Sequence, residues 1–72
     1  MNFVLIIAPE AGWYEQFLRE RFPELRVAAV EDYADAAPFA ADAEILMVLL
    51  PGLTRELVEQ MPKLRWMQAF TS

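Results

Sequence analysis

The sequence contains no cysteine and no histidine, and only two of its 72 residues are glycine. Without cysteine the chain can form no disulfide and offers no thiolate nucleophile, and without histidine it has neither imidazole metal ligands nor a Ser-His-Asp relay. A chain of this length buries a small core, and such domains usually need a cross-link, a metal ion or a partner. Because the composition excludes disulfides and thiolate or imidazole metal sites, stability must come mainly from hydrophobic packing, either within the chain or against a partner.

Basic residues are also scarce. Eleven acids against six bases give a net charge of −5, and no Lys/Arg stripe is present, so we expect no nucleic-acid partner. The apolar runs, such as Ile45 to Leu50, are far shorter than the roughly 20 residues that span a bilayer, and the start of the chain lacks the basic segment of a signal peptide. We expect no membrane partner and a cytoplasmic location.

What the sequence does contain is apolar residues, which make up 57% of it and favour a folded chain. Four apolar segments predict strands, and they are Phe3 to Ala8, Leu25 to Val30, Ile45 to Leu50 and Leu64 to Phe70. Their starts lie roughly twenty residues apart, which leaves room for the helical crossover that parallel strands need. The pattern predicts β-α-β-α-β-α-β.

Three helices are predicted between these strands. The first carries an apolar stripe (Trp13, Tyr14, Phe17, Leu18 and Phe22), allows Glu15 to pair with Arg19, and ends at Pro23. The second is a short helix over the alanine-rich stretch from Ala36 to Ala43, with Asp35 as its cap and Pro38 in its first turn. The third begins after a Thr54 cap, has Glu56 in its first turn and faces inward with Leu57, Val58 and Met61.

The first and third strands are apolar on both faces and should lie at the centre of an open parallel sheet of order 2-1-3-4. Ligands of such sheets bind beyond the carboxyl ends of the strands. Those ends are residues 9–12, 31–33, 51–54 and 71–72. Residues 9–12 read Pro-Glu-Ala-Gly, so the G-x-G-x-x-G signal is missing there, and no P-loop ending is present. The architecture is flavodoxin-like or Rossmann-like, without a phosphate-binding loop.

The last third of the chain resembles a known family. Residues 43–50 read Ala-Glu-Ile-Leu-Met-Val-Leu-Leu, residues 53–57 read Leu-Thr-Arg-Glu-Leu, and residues 61–72 read Met-Pro-Lys-Leu-Arg-Trp-Met-Gln-Ala-Phe-Thr-Ser. In this order and spacing they resemble the amino-terminal part of the substrate domain of the D-isomer-specific 2-hydroxyacid dehydrogenases. The similarity is greatest to the glyoxylate/hydroxypyruvate reductase and phosphoglycerate-dehydrogenase-like branch. The resemblance implies that residues 1–72 are an incomplete domain, about the first quarter of an NAD(P)-dependent enzyme.

The resemblance also implies a substrate pocket for a 2-oxo or 2-hydroxy acid, such as glyoxylate or hydroxypyruvate. In the family the loops after the third and fourth strands hold the substrate carboxylate, and the corresponding residues here are Leu50, Pro51, Gly52, Thr71 and Ser72. The family's catalytic Arg, Glu and His and its cofactor domain lie further along the chain. We therefore expect no catalytic, cofactor-binding or metal-binding residue in this segment, and no activity from it alone.

Each of these residues also has a structural interpretation. Gly52 is otherwise a turn residue that ends a buried strand, and Thr71 and Ser72 are otherwise a frayed end. Trp13 and Trp66 are expected to anchor a core or an interface rather than stack on a ligand.

The acids after the second strand, Glu31, Asp32 and Asp35, could hold Mg²⁺ only with further acids after the first and third strands. Because a single acid (Glu10) follows the first strand and none follows the third, a solvated loop is favoured.

A second hypothesis belongs to another class of protein. The chain would be a stand-alone β-α-β scaffold or interaction module that pairs with a copy of itself. Its fourth strand brings Leu64, Trp66, Met67 and Phe70 to a sheet edge without charged or prolyl protection. Under either hypothesis we expect a homo-oligomer.

Overall fold

The structure is a computed structural model and describes residues 3–48 and 55–69. Its elements, in chain order, are β1 (Phe3–Ile7), α1 (Ala11–Arg21), β2 (Arg26–Val30), a 3₁₀ turn (Tyr33–Ala36), α2 (Ala37–Ala40), β3 (Ile45–Val48), α3 (Arg55–Glu59) and β4 (Trp66–Ala69). The predicted alternation of strands and helices is confirmed. The Thr54 cap and the end of the third predicted strand, Leu49 and Leu50, lie outside the described residues.

The strands form one parallel sheet of order β2-β1-β3-β4, as predicted. Val4 of β1 lies beside Val27 of β2 and Ile45 of β3, and Ile45 in turn lies beside Trp66 of β4. The central position of β1 follows from its sequence, because every one of its residues is apolar and buried.

Helices cover the two faces of the sheet unequally. On one face the 3₁₀ turn, α2 and α3 enclose the larger buried cluster, which comprises Leu5, Ile7, Ala36, Ala40, Ala43, Leu46, Val48, Leu57 and Met61. On the other face α1 alone covers a smaller buried cluster of Val4, Ile6, Ala8, Ala11 and Val27. This division follows from right-handed crossovers, since the chain leaves β1 in one direction across the sheet and returns past it in the other.

The apolar stripe of α1 is wider than the surface it packs on. The helix lies against β2 and β1 and turns Tyr14 and Leu18 toward the sheet, but Trp13, Phe17 and Phe22 are exposed. The predicted stripe is present, and the part of the sheet formed by β1 and β2 covers only some of its side chains. The predicted Glu15–Arg19 pair is present at 2.7 Å.

The second helix begins differently from its prediction. Asp32, not Asp35, provides the cap: its extended backbone lets Oδ1 accept a hydrogen bond from the Ala34 N–H at 3.3 Å. The chain then forms the 3₁₀ turn before α2, so Asp35 lies inside the first turn instead of ahead of it. Pro38 occupies the start of α2, as predicted.

In the described ranges, 3–48 and 55–69, none of the helices has the length and apolar character needed to cross a membrane.

Candidate functional site

The direction of the crossovers changes between β1 and β3, so the carboxyl ends of these two strands form the crevice where ligands of open α/β sheets bind. After β1 the chain stays close to the sheet. The Ala8 N–H donates to the Val30 carbonyl oxygen at 3.1 Å, and the Ala11 N–H donates to the Ala8 carbonyl oxygen at 3.1 Å as α1 begins. Pro9 and Glu10 are thereby exposed at the rim of the crevice.

The predicted substrate-binding residues, Leu50, Pro51, Gly52, Thr71 and Ser72, lie outside the described residues. The structure describes β3 and β4, the strands that precede these residues in the chain. Val48, the last described residue of β3, is the register partner of Ala69, the last described residue of β4. β3 and β4 therefore end beside each other at the same edge of the sheet.

Glu10 is the acid nearest to the described part of this crevice. It occupies the N-cap position of α1, and its side chain makes no capping hydrogen bond. A carboxylate is favoured there by the positive end of the helix dipole. A dinucleotide pyrophosphate would need that position free and a glycine-rich turn before it. The residues at this position therefore do not fit a nicotinamide dinucleotide.

Among the acids after β2, Asp32 has a structural role. Asp32 caps the 3₁₀ turn through its side chain, and its carbonyl oxygen accepts a hydrogen bond from the Asp35 N–H at 3.1 Å. Across residues 3–48 and 55–69 no group of three or more acids comes close enough together to hold a metal ion.

Tyr33 follows these acids and packs half-buried against the larger cluster. Burial raises the pKa of its hydroxyl above the ordinary tyrosine value, because the charged form loses hydration. The side chain is neutral at physiological pH, and it packs against the larger buried cluster just after β2.

A pocket of about 400 Å³ lies at the opposite end of the sheet, by the amino ends of β1 and β2. Its two guanidinium groups are already engaged. Arg19 donates to the Val27 carbonyl oxygen at 3.2 Å and pairs with Glu15, and Arg26 lies 4.9 Å from the ring centre of Phe3. These contacts join α1 and β1 to β2, so the pocket is interpreted as structural.

A second cleft, of about 210 Å³, opens on the face covered by α1. Its lining is wholly apolar and comprises Ile6, Trp13, Tyr14, Phe17, Leu18 and Met47. Trp13, predicted to anchor a core or an interface, is an exposed wall of this cleft. Periodicity places these helix side chains on one side of α1, but it does not indicate which of them the sheet covers.

No protein-family model matches the chain, and no curated protein is similar enough to match it. Among solved structures the chain is similar to a D-isomer specific 2-hydroxyacid dehydrogenase family protein from Aeromonas salmonicida subsp. salmonicida A449, with 28% sequence identity and a TM-score of 0.79. The match covers 94% of this chain and 22% of that protein, so the chain spans about a fifth of its length. The chain thus has the fold of part of a D-isomer specific 2-hydroxyacid dehydrogenase family protein, which confirms the resemblance indicated by its sequence.

Proposed function

We propose that residues 1–72 are the amino-terminal portion of the substrate domain of an NAD(P)-dependent oxidoreductase that acts on D-2-hydroxy acids and 2-oxo acids. The observation that supports this most is the fold match, which extends over 94% of the chain at 28% identity. The short sequence segments within residues 43–72 also support the proposal, because they occur in the order and spacing that the family shows. Glyoxylate and hydroxypyruvate are the proposed substrates.

In this proposal the substrate carboxylate lies over the ends of β3 and β4. Leu50, Pro51 and Gly52 contribute one loop, and Thr71 and Ser72 begin the other. The register pairing of Val48 with Ala69 supports the arrangement, since both loops start from adjacent points. Glu10 is on the β1 side of the crevice, and its negative charge favours a substrate carboxylate that binds away from it, toward β3 and β4.

The hydride chemistry belongs to parts of the enzyme beyond these residues. Reduction of a 2-oxo acid needs a nicotinamide, a cation that orients the carboxylate and an acid that protonates the alkoxide. The 72 residues contain no histidine and no dinucleotide fingerprint. We propose that this segment binds no cofactor and contributes substrate contacts only.

The test is NADH and NADPH oxidation in the presence of glyoxylate or hydroxypyruvate. The purified 72-residue chain should give no turnover, and a longer protein from the same reading frame should reduce one of the two acids. Turnover by the short chain would contradict the proposal that the catalytic and cofactor-binding residues lie outside residues 1–72. A longer protein that contains the cofactor fingerprint but reduces neither acid would contradict the proposed substrates.

The second candidate is a stand-alone module that associates with itself. The exposed Trp13, Trp66 and Met67 favour it, because large apolar side chains on a small domain usually mark a contact surface. We propose a homo-oligomer in the cytoplasm under both candidates. A stop codon after Ser72 would favour the module, and a reading frame that continues into a glycine fingerprint would favour the enzyme.

A further inference from the structure

The two sides of the crevice between β1 and β3 differ in charge. Residues 8–12 and 31–36, which follow β1 and β2, contain four acids and no lysine or arginine. These acids are Glu10, Glu31, Asp32 and Asp35, and all four are exposed. On the β3 side, α3 begins with Arg55 and Glu56, whose charges oppose each other. The β1–β2 side is therefore the negative side of the crevice.

The two segments that carry these acids lie next to each other. Ile7 is the register partner of Val30, and the Ala8 N–H donates to the Val30 carbonyl oxygen at 3.1 Å. Residues 9–10 and 31–32 therefore follow adjacent strands at the same edge of the sheet. Both segments lie wholly within residues 3–48, so a longer chain contains them with the same charges.

Glu10 is the member of this group that follows β1, the strand that borders the crevice. Its carbonyl oxygen accepts hydrogen bonds from the Trp13 and Tyr14 N–H groups at 3.0 and 3.4 Å, which hold its backbone at the start of α1. Its side chain makes no capping hydrogen bond, and within residues 3–48 and 55–69 it forms no ion pair. A negative charge therefore occupies the position at which a helix amino terminus otherwise attracts an anion.

We propose that Glu10 is a specificity residue that favours 2-oxo acids with an uncharged side chain and disfavours those with a second anionic group. This inference rests on the proposed function, in which the substrate carboxylate lies over the ends of β3 and β4. From there, a substrate side chain that extends across the crevice approaches β1 and Glu10. A second carboxylate or a phosphate meets a like charge there, whereas the hydroxymethyl group of hydroxypyruvate does not.

Coulomb's law gives the size of this effect. For two unit charges about 8 Å apart, repulsion weakens binding roughly twofold in water and roughly thirtyfold at an effective dielectric constant of about 20. Dissolved salt screens exposed charges, so the discrimination should weaken as the ionic strength rises. A pocket that rejects the second anionic group by its shape would instead discriminate equally at every salt concentration.

The experiment measures kcat/KM for hydroxypyruvate and for oxaloacetate, whose side chain carries a second carboxylate, with the longer protein from the same reading frame. Glu10→Gln removes the charge at nearly constant size, Glu10→Lys reverses it, and neither change removes a capping hydrogen bond. Glu20→Lys is the matched control, because Glu20 is exposed near the other end of α1, about 15 Å along the helix axis, and takes the same change of charge. If oxaloacetate is not turned over, its inhibition constant against hydroxypyruvate gives the same comparison.

The wild type should prefer hydroxypyruvate by about tenfold or more, and salt should reduce this preference. Glu10→Gln should improve the use or binding of oxaloacetate about threefold or more and Glu10→Lys about tenfold or more, while kcat/KM for hydroxypyruvate changes by less than about threefold. An unchanged preference in both Glu10 variants, or an equal change in Glu20→Lys, would overturn the role of Glu10 and leave the proposed dehydrogenase function standing. A longer protein that reduces no 2-oxo acid would contradict the proposed function itself, and the role of Glu10 with it.

Discussion

The Glu44 carboxylate accepts a hydrogen bond from the Phe3 N–H at 3.0 Å, while the Glu44 N–H donates to the Phe3 carbonyl oxygen at 3.0 Å. The carbonyl oxygen of Glu44 also accepts from the Arg65 and Trp66 N–H groups, at 2.8 and 3.2 Å. A single residue therefore joins the starts of β1, β3 and β4. Its side chain provides an acceptor for the part-buried N–H at the start of β1.

Glu44→Ala should lower the free energy of unfolding by about 1–2 kcal/mol, because the Phe3 N–H loses its acceptor. Glu44→Gln should cost less, since an amide oxygen still accepts the bond without the charge. Urea unfolding followed by circular dichroism measures both. Glu59→Ala, at an exposed position of α3, is the control and should stay within about 0.5 kcal/mol of wild type. Equal losses in the alanine variants at 44 and 59 would remove the special role of Glu44.

The two faces of β3 should differ in their tolerance of truncation. Leu46 is fully buried under α2 and α3, and Leu46→Ala should cost about 2–5 kcal/mol. Met47 is half-buried on the side of α1, so Met47→Ala should cost less than half as much. Urea midpoints at a single low protein concentration give the comparison. A larger loss at Met47 would contradict the packing described for β3.

The order of the strands could be predicted from the sequence because it depends on long apolar runs. Phe3 to Ala8 and Ile45 to Leu50 have no polar face, which assigns them to the sheet centre whatever the details of their neighbours. The cap of the second helical segment could not be predicted in the same way. Asp32 and Asp35 are both good capping residues close to the helix, and only the extended backbone at Asp32 decides between them.

The exposure of the aromatic residues was beyond the sequence for a different reason. Periodicity assigns Trp13 and Phe17 to the apolar side of α1, but it does not say how much of the sheet that helix covers. The candidate substrate site was reached only through family resemblance. A substrate contact made by the backbone amides of residues such as Gly52 or Ser72 would leave no residue-type signal in the sequence.

Gly12 offers a stabilising substitution. It is an exposed residue in the first turn of α1, and a Cβ built there meets nothing within 4 Å. Gly12→Ala should raise the free energy of unfolding by about 0.5 kcal/mol, because alanine loses less backbone entropy than glycine on folding. Thermal unfolding should show an increase of roughly 2–4 °C in Tm. A decrease would mean that the helix does not begin where it is described.

Stability should also fall at high pH through Tyr33. Burial raises the pKa of Tyr33 in the folded chain above its ordinary value of 10.0. The unfolded chain therefore releases this proton first, so the stabilisation is complete below about pH 10 and is lost as the pH rises through the folded pKa. Urea unfolding between about pH 9 and 11 should show a steeper loss for wild type than for Tyr33→Phe. Identical slopes would contradict the pKa shift.

The proposed substrate site is tested most directly at Gly52, in the longer protein of which this chain is proposed to be part. Gly52→Val should raise KM for the 2-oxo acid by about tenfold or more and leave the KM for the cofactor nearly unchanged, because the turn lies in the substrate domain. Gly12→Val is the matched control: it adds the same side chain at the other glycine, in open space on α1, and should leave both KM values unchanged. If Gly52→Val leaves the KM for the 2-oxo acid unaltered, Gly52 is only the turn that ends a buried strand. If it raises both KM values equally, it acts by distorting the domain and makes no specific contact with the substrate.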